Sequence, residues 1–170
     1  MADACLCFST SSEEGTRRFG EVLGSLLAPG MTVLLSGELG TGKTVLARGI
    51  GDALGVKRVR SPTFTLVNEY PCEGLCLVHA DLYRLTPENV GDLSLEDYLD
   101  EQCVLLVEWP ERWKTPPEHR AIKIVLTLPT SGGEDGRFFT ISGEDGLLQK
   151  LRDAVKGRLL QLNFLPCLFP

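Results

Sequence analysis

Residues Gly37 to Thr44, GELGTGKT, fit the pattern G-x-x-x-x-G-K-[ST] at every fixed position, and the chemistry open to them is binding a nucleoside triphosphate. Gly37, Gly40 and Gly42 permit backbone conformations that let the loop, through Glu38, Leu39 and Thr41, turn its amide NH groups toward phosphate oxygens. Lys43 adds a point charge for the outer phosphates, and Thr44 offers a hydroxyl to the magnesium ion that bridges them. The helix that follows turns its positive end toward the same anion. An ordinary glycine turn between a strand and a helix is the competing reading of the stretch.

Two carboxylates have the right setting to join this loop. Glu108 closes the apolar run Val104-Leu105-Leu106-Val107, the Walker-B arrangement, in which a buried strand ends in an acid facing magnesium or the attacking water. Asp81 follows the run Leu75 to His79, and an acid just past a strand's carboxyl end faces the crevice where ligands lie in an open α/β sheet. It would hold magnesium or its water; an N-cap or turn aspartate is the competing reading. Thr63, in Ser61-Pro62-Thr63, either senses the outer phosphate and its magnesium or bonds the backbone of a turn. Trp109 shields the site, docks a partner or fills the core. His79 reads as a core or sheet residue, and Arg84 as a salt-bridge partner.

These residues need elements to position them. Met31 to Ser36 is the nearly continuous apolar run of a strand buried on both faces, and Val45 to Leu54 has helical spacing, with Gly55 to cap it. Upstream, Leu6 to Phe8 reads as a short strand. Ser11 or Ser12 then caps a helix running to about Leu27, with Glu14 placed to complete a capping box from Ser11. Phe19, Val22, Leu23, Leu26 and Leu27 form its core stripe. Ser12, Glu13 or Thr16 could line a nucleoside pocket, though capping and solvation account for them. Phe64 to Tyr70 has strand composition, Pro87 to Leu99 suggests two short helices, and Glu111 to Arg120 a loop. Ala121 to Leu128 and Arg137 to Ile141 alternate like exposed-edge strands of a hairpin turned by Ser131 to Gly136. Gly143 to Leu162 closes the chain as an amphipathic helix, leaving the apolar tail NFLPCLFP unassigned. The expected fold is α/β and P-loop NTPase-like: one domain over residues 1–170, a mostly parallel central sheet flanked by helices, and a C-terminal antiparallel hairpin.

A length of 170 residues suits one domain with a real core, and 43% hydrophobic with 24% charged residues is a soluble globular composition. The net charge of -6 repels a nucleic-acid backbone, so any RNA is expected to be handled through a partner. The first residues lack a basic, apolar leader and no window is apolar enough for a membrane helix, which points to the cytoplasm. The six cysteines do not make a disulfide scaffold. Cys5, Cys7, Cys72 and Cys76 could be drawn as zinc ligands, but neither pair has C-x-x-C spacing.

Taken together, GELGTGKT, SPTFTLVNEY, HADLYRL and VEWPER, in this order and spacing, resemble the bacterial TsaE family over most of the chain. The resemblance implies a P-loop ATPase that supports a TsaB and TsaD pair, with TsaD making threonylcarbamoyladenosine at adenosine 37 of tRNA. It implies ATP and Mg2+ as cofactors, Lys43 and Thr44 on phosphates and magnesium, Asp81 and Glu108 at the metal or water, Thr63 near the magnesium and Trp109 beside the site. Specificity for adenine is likewise an implication of the family, and the loosely matching N-terminal contacts do not carry over. A small P-loop kinase and a nucleotide-gated binding module are the alternatives. The kinase would need an acceptor pocket and an arginine-bearing lid, for which only Arg112 and Arg120 in the polar loop stand out.

Overall fold

The run MTVLLS forms a strand because both faces of it find apolar neighbours: Val33, Leu34 and Leu35 are all buried. The same holds for Val104 to Val107. The computed structural model describes residues 5–100, 102–129, 136–158 and 165–166. In chain order they form β1 (Cys5–Thr10), α1 (Glu13–Gly24), β2 (Thr32–Ser36), α2 (Lys43–Ala53), β3 (Val67–Cys72) and β4 (Leu75–Asp81). Then come α3 (Pro87–Val90), β5 (Cys103–Glu108), β6 (Ala121–Thr127), β7 (Arg137–Gly143), α4 (Asp145–Arg158) and the two-residue β8 (Leu165–Pro166).

One sheet has the order β3-β4-β5-β2-β6-β7-β1-β8. Its centre, β4-β5-β2-β6, is parallel, while β3 on one flank and β7, β1 and β8 on the other run antiparallel to their neighbours. The sheet is therefore mixed, with the parallel part confined to the strands that build the loop region. The β6–β7 hairpin forms as expected, but its strands are interior, not edges: β6 lies between β2 and β7, and β7 between β6 and β1. Alternation in β6, with Ile122, Ile124 and Leu126 buried against exposed Lys123, Val125 and Thr127, arises because only one sheet face is covered there.

Two cores follow. One joins α1, α2 and α4 to the sheet through residues such as Phe19, Leu23, Leu46, Ile50, Phe139 and Leu151; the other, beneath α3, collects Leu34, Val78, Leu82, Leu95, Val107 and Trp113. Where two short helices were expected, residues 87–99 fold into the four-residue α3 and two 3-10 turns. β3 begins only at Val67, because Leu66 takes a φ of 64° and bonds back to Pro62; Phe64, expected in the strand, is 86% exposed on the preceding turn. Pro71 is tolerated because β3 is the edge. The expected turn at 131–135, the helix end at 159–162 and most of the tail lie outside the described residues.

Ser12, not Ser11, caps α1, accepting from the Gly15 amide at 3.0 Å. No capping box forms, since the residue three beyond Ser12 is a glycine, and Glu14 instead takes Arg18 at 2.9 Å. The helix ends at Gly24, where amides of Leu26 and Leu27 tighten onto carbonyls three residues back before Pro29.

Close approach of α1 and α2 requires glycine. A Cβ on Gly49 would stand 2.0 Å from the Arg17 carbonyl oxygen, and one on Gly20 2.4 Å from that of Leu46. Gly49→Ala is expected to push the helices apart and lower stability by about 2–3 kcal/mol. Gly146→Ala in α4, with nothing within 4 Å of the added methyl, should not destabilise. Urea denaturation checks both, and equal midpoints for the two variants would refute the packing argument.

Candidate functional site

The loop from β2 to α2 meets the carboxyl ends of three neighbouring parallel strands. Gly37 takes a φ of 141°, and a Cβ there would strike the Leu126 carbonyl oxygen at 2.5 Å, so only glycine fits this exit from β2. Inside the turn, the Thr41 hydroxyl donates to the Glu38 carbonyl at 2.9 Å and is buried, while Leu39 points outward and is exposed. Gly42, at φ 100°, opens α2 without a side-chain cap. The amino end of the helix thus faces the loop, and its first backbone N–H groups have no partner within the helix and suit an anion.

Lys43, the first residue of α2, is buried. Its Nζ donates to the carbonyls of Gly37 at 2.6 Å and Glu38 at 2.8 Å, and lies 4.4 Å from the centroid of the Trp109 ring. Burial pushes the ammonium below the usual lysine range, against the pull of Glu108, Asp81, Glu111 and Glu38. Trp109 reaches this position because its backbone takes a φ of 60°, unusual for a bulky residue, just after the β5 strand; its amide donates to Leu35 at 3.0 Å. Tyr83 packs on the same ring at 4.8 Å between centroids.

Parallel pairing of β4 and β5 sets Asp81 directly beside Glu108. Glu108 is buried, and its Oε1 accepts from the Thr44 hydroxyl at 3.3 Å and lies 2.9 Å from His79 Nε2. Asp81 accepts from the Tyr83 amide through Oδ1 at 3.0 Å, so it is a turn aspartate as well as a member of the cluster. Burial pushes its carboxyl up, opposed by that amide and reinforced by Glu108. With its folded value above its unfolded one, ionised Asp81 opposes folding as pH rises past the ordinary carboxylate range, and a cation beside it relieves that penalty. The Thr44 hydroxyl and the two carboxylates form an all-oxygen donor set, hard and suited to magnesium held by few protein ligands.

Lys43, Thr44, Asp81, Glu108 and Trp109 are thus brought together. Thr63 is not part of this contact network: its hydroxyl sits 2.7 Å from that of Ser61, on the turn before β3. Arg84 forms no salt bridge among the described residues; its guanidinium lies over the Phe64 ring at 4.8 Å. His79 is a core residue, as expected, but sequence reasoning missed its bond to Glu108. The available signal was its position two residues before Asp81, which puts both on one face of β4. Its Nδ1 is buried and without a partner among the described residues. The cysteines drawn as zinc ligands are far apart, since β1 and β4 are separated by four intervening strands, about 24 Å at the usual spacing.

A cavity of about 780 Å³ opens elsewhere, beside α1 and the outer face of α2, where Arg48, Lys57, Arg58 and Arg60 face Glu13 and Asp52. It does not include the loop over residues 37–42, Asp81 or Glu108. No helix among the described residues is long and apolar enough to cross a membrane.

Residues 10–134 match the family model described as threonylcarbamoyl adenosine biosynthesis protein TsaE. The chain is 39% identical over 127 residues to a protein of Nostoc sp. named tRNA threonylcarbamoyladenosine biosynthesis protein TsaE, covering 72% of this chain and 78% of that one. It is 35% identical over 138 residues to the protein of the same name from Bacillus subtilis, covering 81% and 85%. Its fold is similar to the crystal structure of YdiB from B. subtilis, with a TM-score of 0.72, 28% identity, and 92% and 98% of the two chains covered.

Proposed function

The chain belongs to the TsaE family of tRNA threonylcarbamoyladenosine biosynthesis proteins, and on that premise we propose that it is the Mg2+-dependent subunit that binds and hydrolyses ATP in that pathway, in the cytoplasm. The observation that carries the proposal is the convergence on one phosphate-binding loop of Lys43 and the Thr44–Glu108 pair. Lys43 and the open amino end of α2 would take the phosphates, and Thr44, Glu108 and Asp81 would hold the magnesium. The ion would neutralise charge on the outer phosphates. Glu108 orients the attacking water, and His79 fixes the carboxylate through the 2.9 Å contact. Trp109 covers Lys43, and Tyr83 packs on the Trp109 ring.

The alternatives have less support. Arg112 donates to the Leu85 carbonyl and Arg120 to that of Pro29, so the arginines considered for a kinase lid are engaged by the scaffold. The acidic net charge favours reaching tRNA through TsaB and TsaD homologues over direct RNA binding. ATP hydrolysis by the purified chain, alone and with TsaB and TsaD, tests the role. Slow turnover alone and a partner-stimulated, Lys43-dependent rate is the expected result. Bound ATP with no partner effect would overturn the role and send the search to small-molecule acceptors.

A further inference from the structure

We propose that the groove on the outer face of α2 is a docking site for an acidic segment of a partner protein, received by Arg48, Lys57, Arg58 and Arg60.

The whole chain is acidic, with a net charge of -6, yet the cavity of about 780 Å³ beside α2 is lined by more cations than acids. Two of its acids are already matched: Asp52 pairs with Arg17 at 2.8 Å, and Glu14 with Arg18 at 2.9 Å. Arg48, Lys57, Arg58 and Arg60 are exposed, and their side chains make no ion pair among the described residues. The groove therefore offers positive charge that the chain itself leaves unanswered.

Fixed walls distinguish it from a run of solvated surface charge. On one side α1 is held against α2 by the close approach of Gly20 and Gly49 and by the Arg17–Asp52 pair. Residues 57–60 form the other side. Gly55, at φ 84°, turns the chain back from the end of α2, and the Val56 amide donates to the Gly51 carbonyl at 2.8 Å. Val59 is buried so tightly on α2 that a Cβ on Gly51 would strike it. At the far end the Arg60 amide donates to the Tyr70 hydroxyl at 3.0 Å, and that hydroxyl donates to the Arg60 carbonyl at 3.2 Å. The backbone is pinned at both ends, so Lys57, Arg58 and Arg60 are presented from a rigid wall.

The lining selects the occupant. Guanidinium groups meet carboxylates through paired N–H bonds. A nucleic-acid backbone fits less well, because Glu13 and Glu14 stand on the α1 side and an evenly charged polyanion cannot avoid them. A polypeptide can set its carboxylates against one wall and neutral or basic side chains against the other. Val45 in the lining follows Thr44, and Arg60 leads into Ser61-Pro62-Thr63, so a docked segment lies beside the amino end of α2 without covering Asp81 or Glu108.

Fluorescence anisotropy with a labelled peptide of alternating Glu and Ser tests the site on the full chain; a Lys-Ser peptide and a single-stranded RNA of equal length serve as comparisons. The Glu-Ser peptide should bind at low salt and weaken as NaCl is raised. Lys57→Glu with Arg58→Glu should weaken it at least about tenfold and favour the Lys-Ser peptide instead. Lys150→Glu with Arg152→Glu, which changes the net charge equally on the exposed face of α4, should change binding less than about threefold. Equal losses in the two double variants would reduce the effect to overall charge and overturn the proposal. Unaltered binding in the groove variant, or no binding of the Glu-Ser peptide by the wild type, would do the same. RNA that binds more tightly than the peptide and is lost in the groove variant would make this a nucleic-acid site. Circular dichroism checks folding; should the groove variant unfold, Lys57→Gln with Arg58→Gln replaces it, with a loss of at least about threefold expected and wild-type affinity defeating the proposal.

Discussion

Lys43→Ala is expected to weaken ATP binding more than a hundredfold while leaving the fold intact. The ammonium is already buried and aligned, with two loop carbonyls at 2.6 and 2.8 Å and the Trp109 ring beneath it. Little side-chain freedom remains to be lost when phosphate oxygens replace those carbonyls as partners. Two charge-assisted bonds to phosphates together contribute about 3 kcal/mol, which is the expected loss in affinity. The effect on stability should be small, because opposing contributions are removed together: burial disfavours the ammonium, while Glu108 and Asp81 favour it. Titration calorimetry with ATP and thermal unfolding of the same variant separate the two quantities. Wild-type affinity in a folded variant would remove Lys43 from the phosphate site.

How much of this was legible depended on how local each signal is. The phosphate-binding loop is a contiguous pattern whose glycines and lysine act within a few residues, so GELGTGKT could be read directly. Glu108 was legible for a related reason: β5 is buried on both faces, and the end of its apolar run marks the end of the strand. Phe64 misled because its aromatic and β-branched surroundings favour a strand, and the turn closed by Leu66 at positive φ overrides that preference. The interior position of β6 was hidden because alternation reports one covered face and says nothing of which strands pair on either side. The role of His79 depends on register between strands distant in sequence. No spacing within HADLYRL states that the histidine reaches the acid at the end of β5.

That register underlies the second large effect. Glu108→Gln should reduce ATP turnover at least about a hundredfold, the range expected when a group that orients the attacking water loses its charge. Nucleotide binding without Mg2+ should be unchanged or tighter. The amide oxygen of glutamine can still accept from Thr44 and His79, so the geometry survives and only the charge is lost. Removing a buried charge beside Asp81 also eliminates a cause of that carboxyl's raised value, which should fall toward the ordinary range when followed by NMR titration. Stability should hold or rise, since a buried carboxyl group is replaced by an amide of the same shape that keeps both contacts. His79 can be separated from Glu108 by its own pair of variants. His79→Leu deletes the donor and should raise the Mg2+ concentration needed for half-maximal turnover, whereas His79→Gln, which keeps an N–H of similar reach, should restore it. Equal magnesium dependence in the leucine and glutamine variants would reduce His79 to core filling, and wild-type turnover in Glu108→Gln would remove the acid from the reaction altogether.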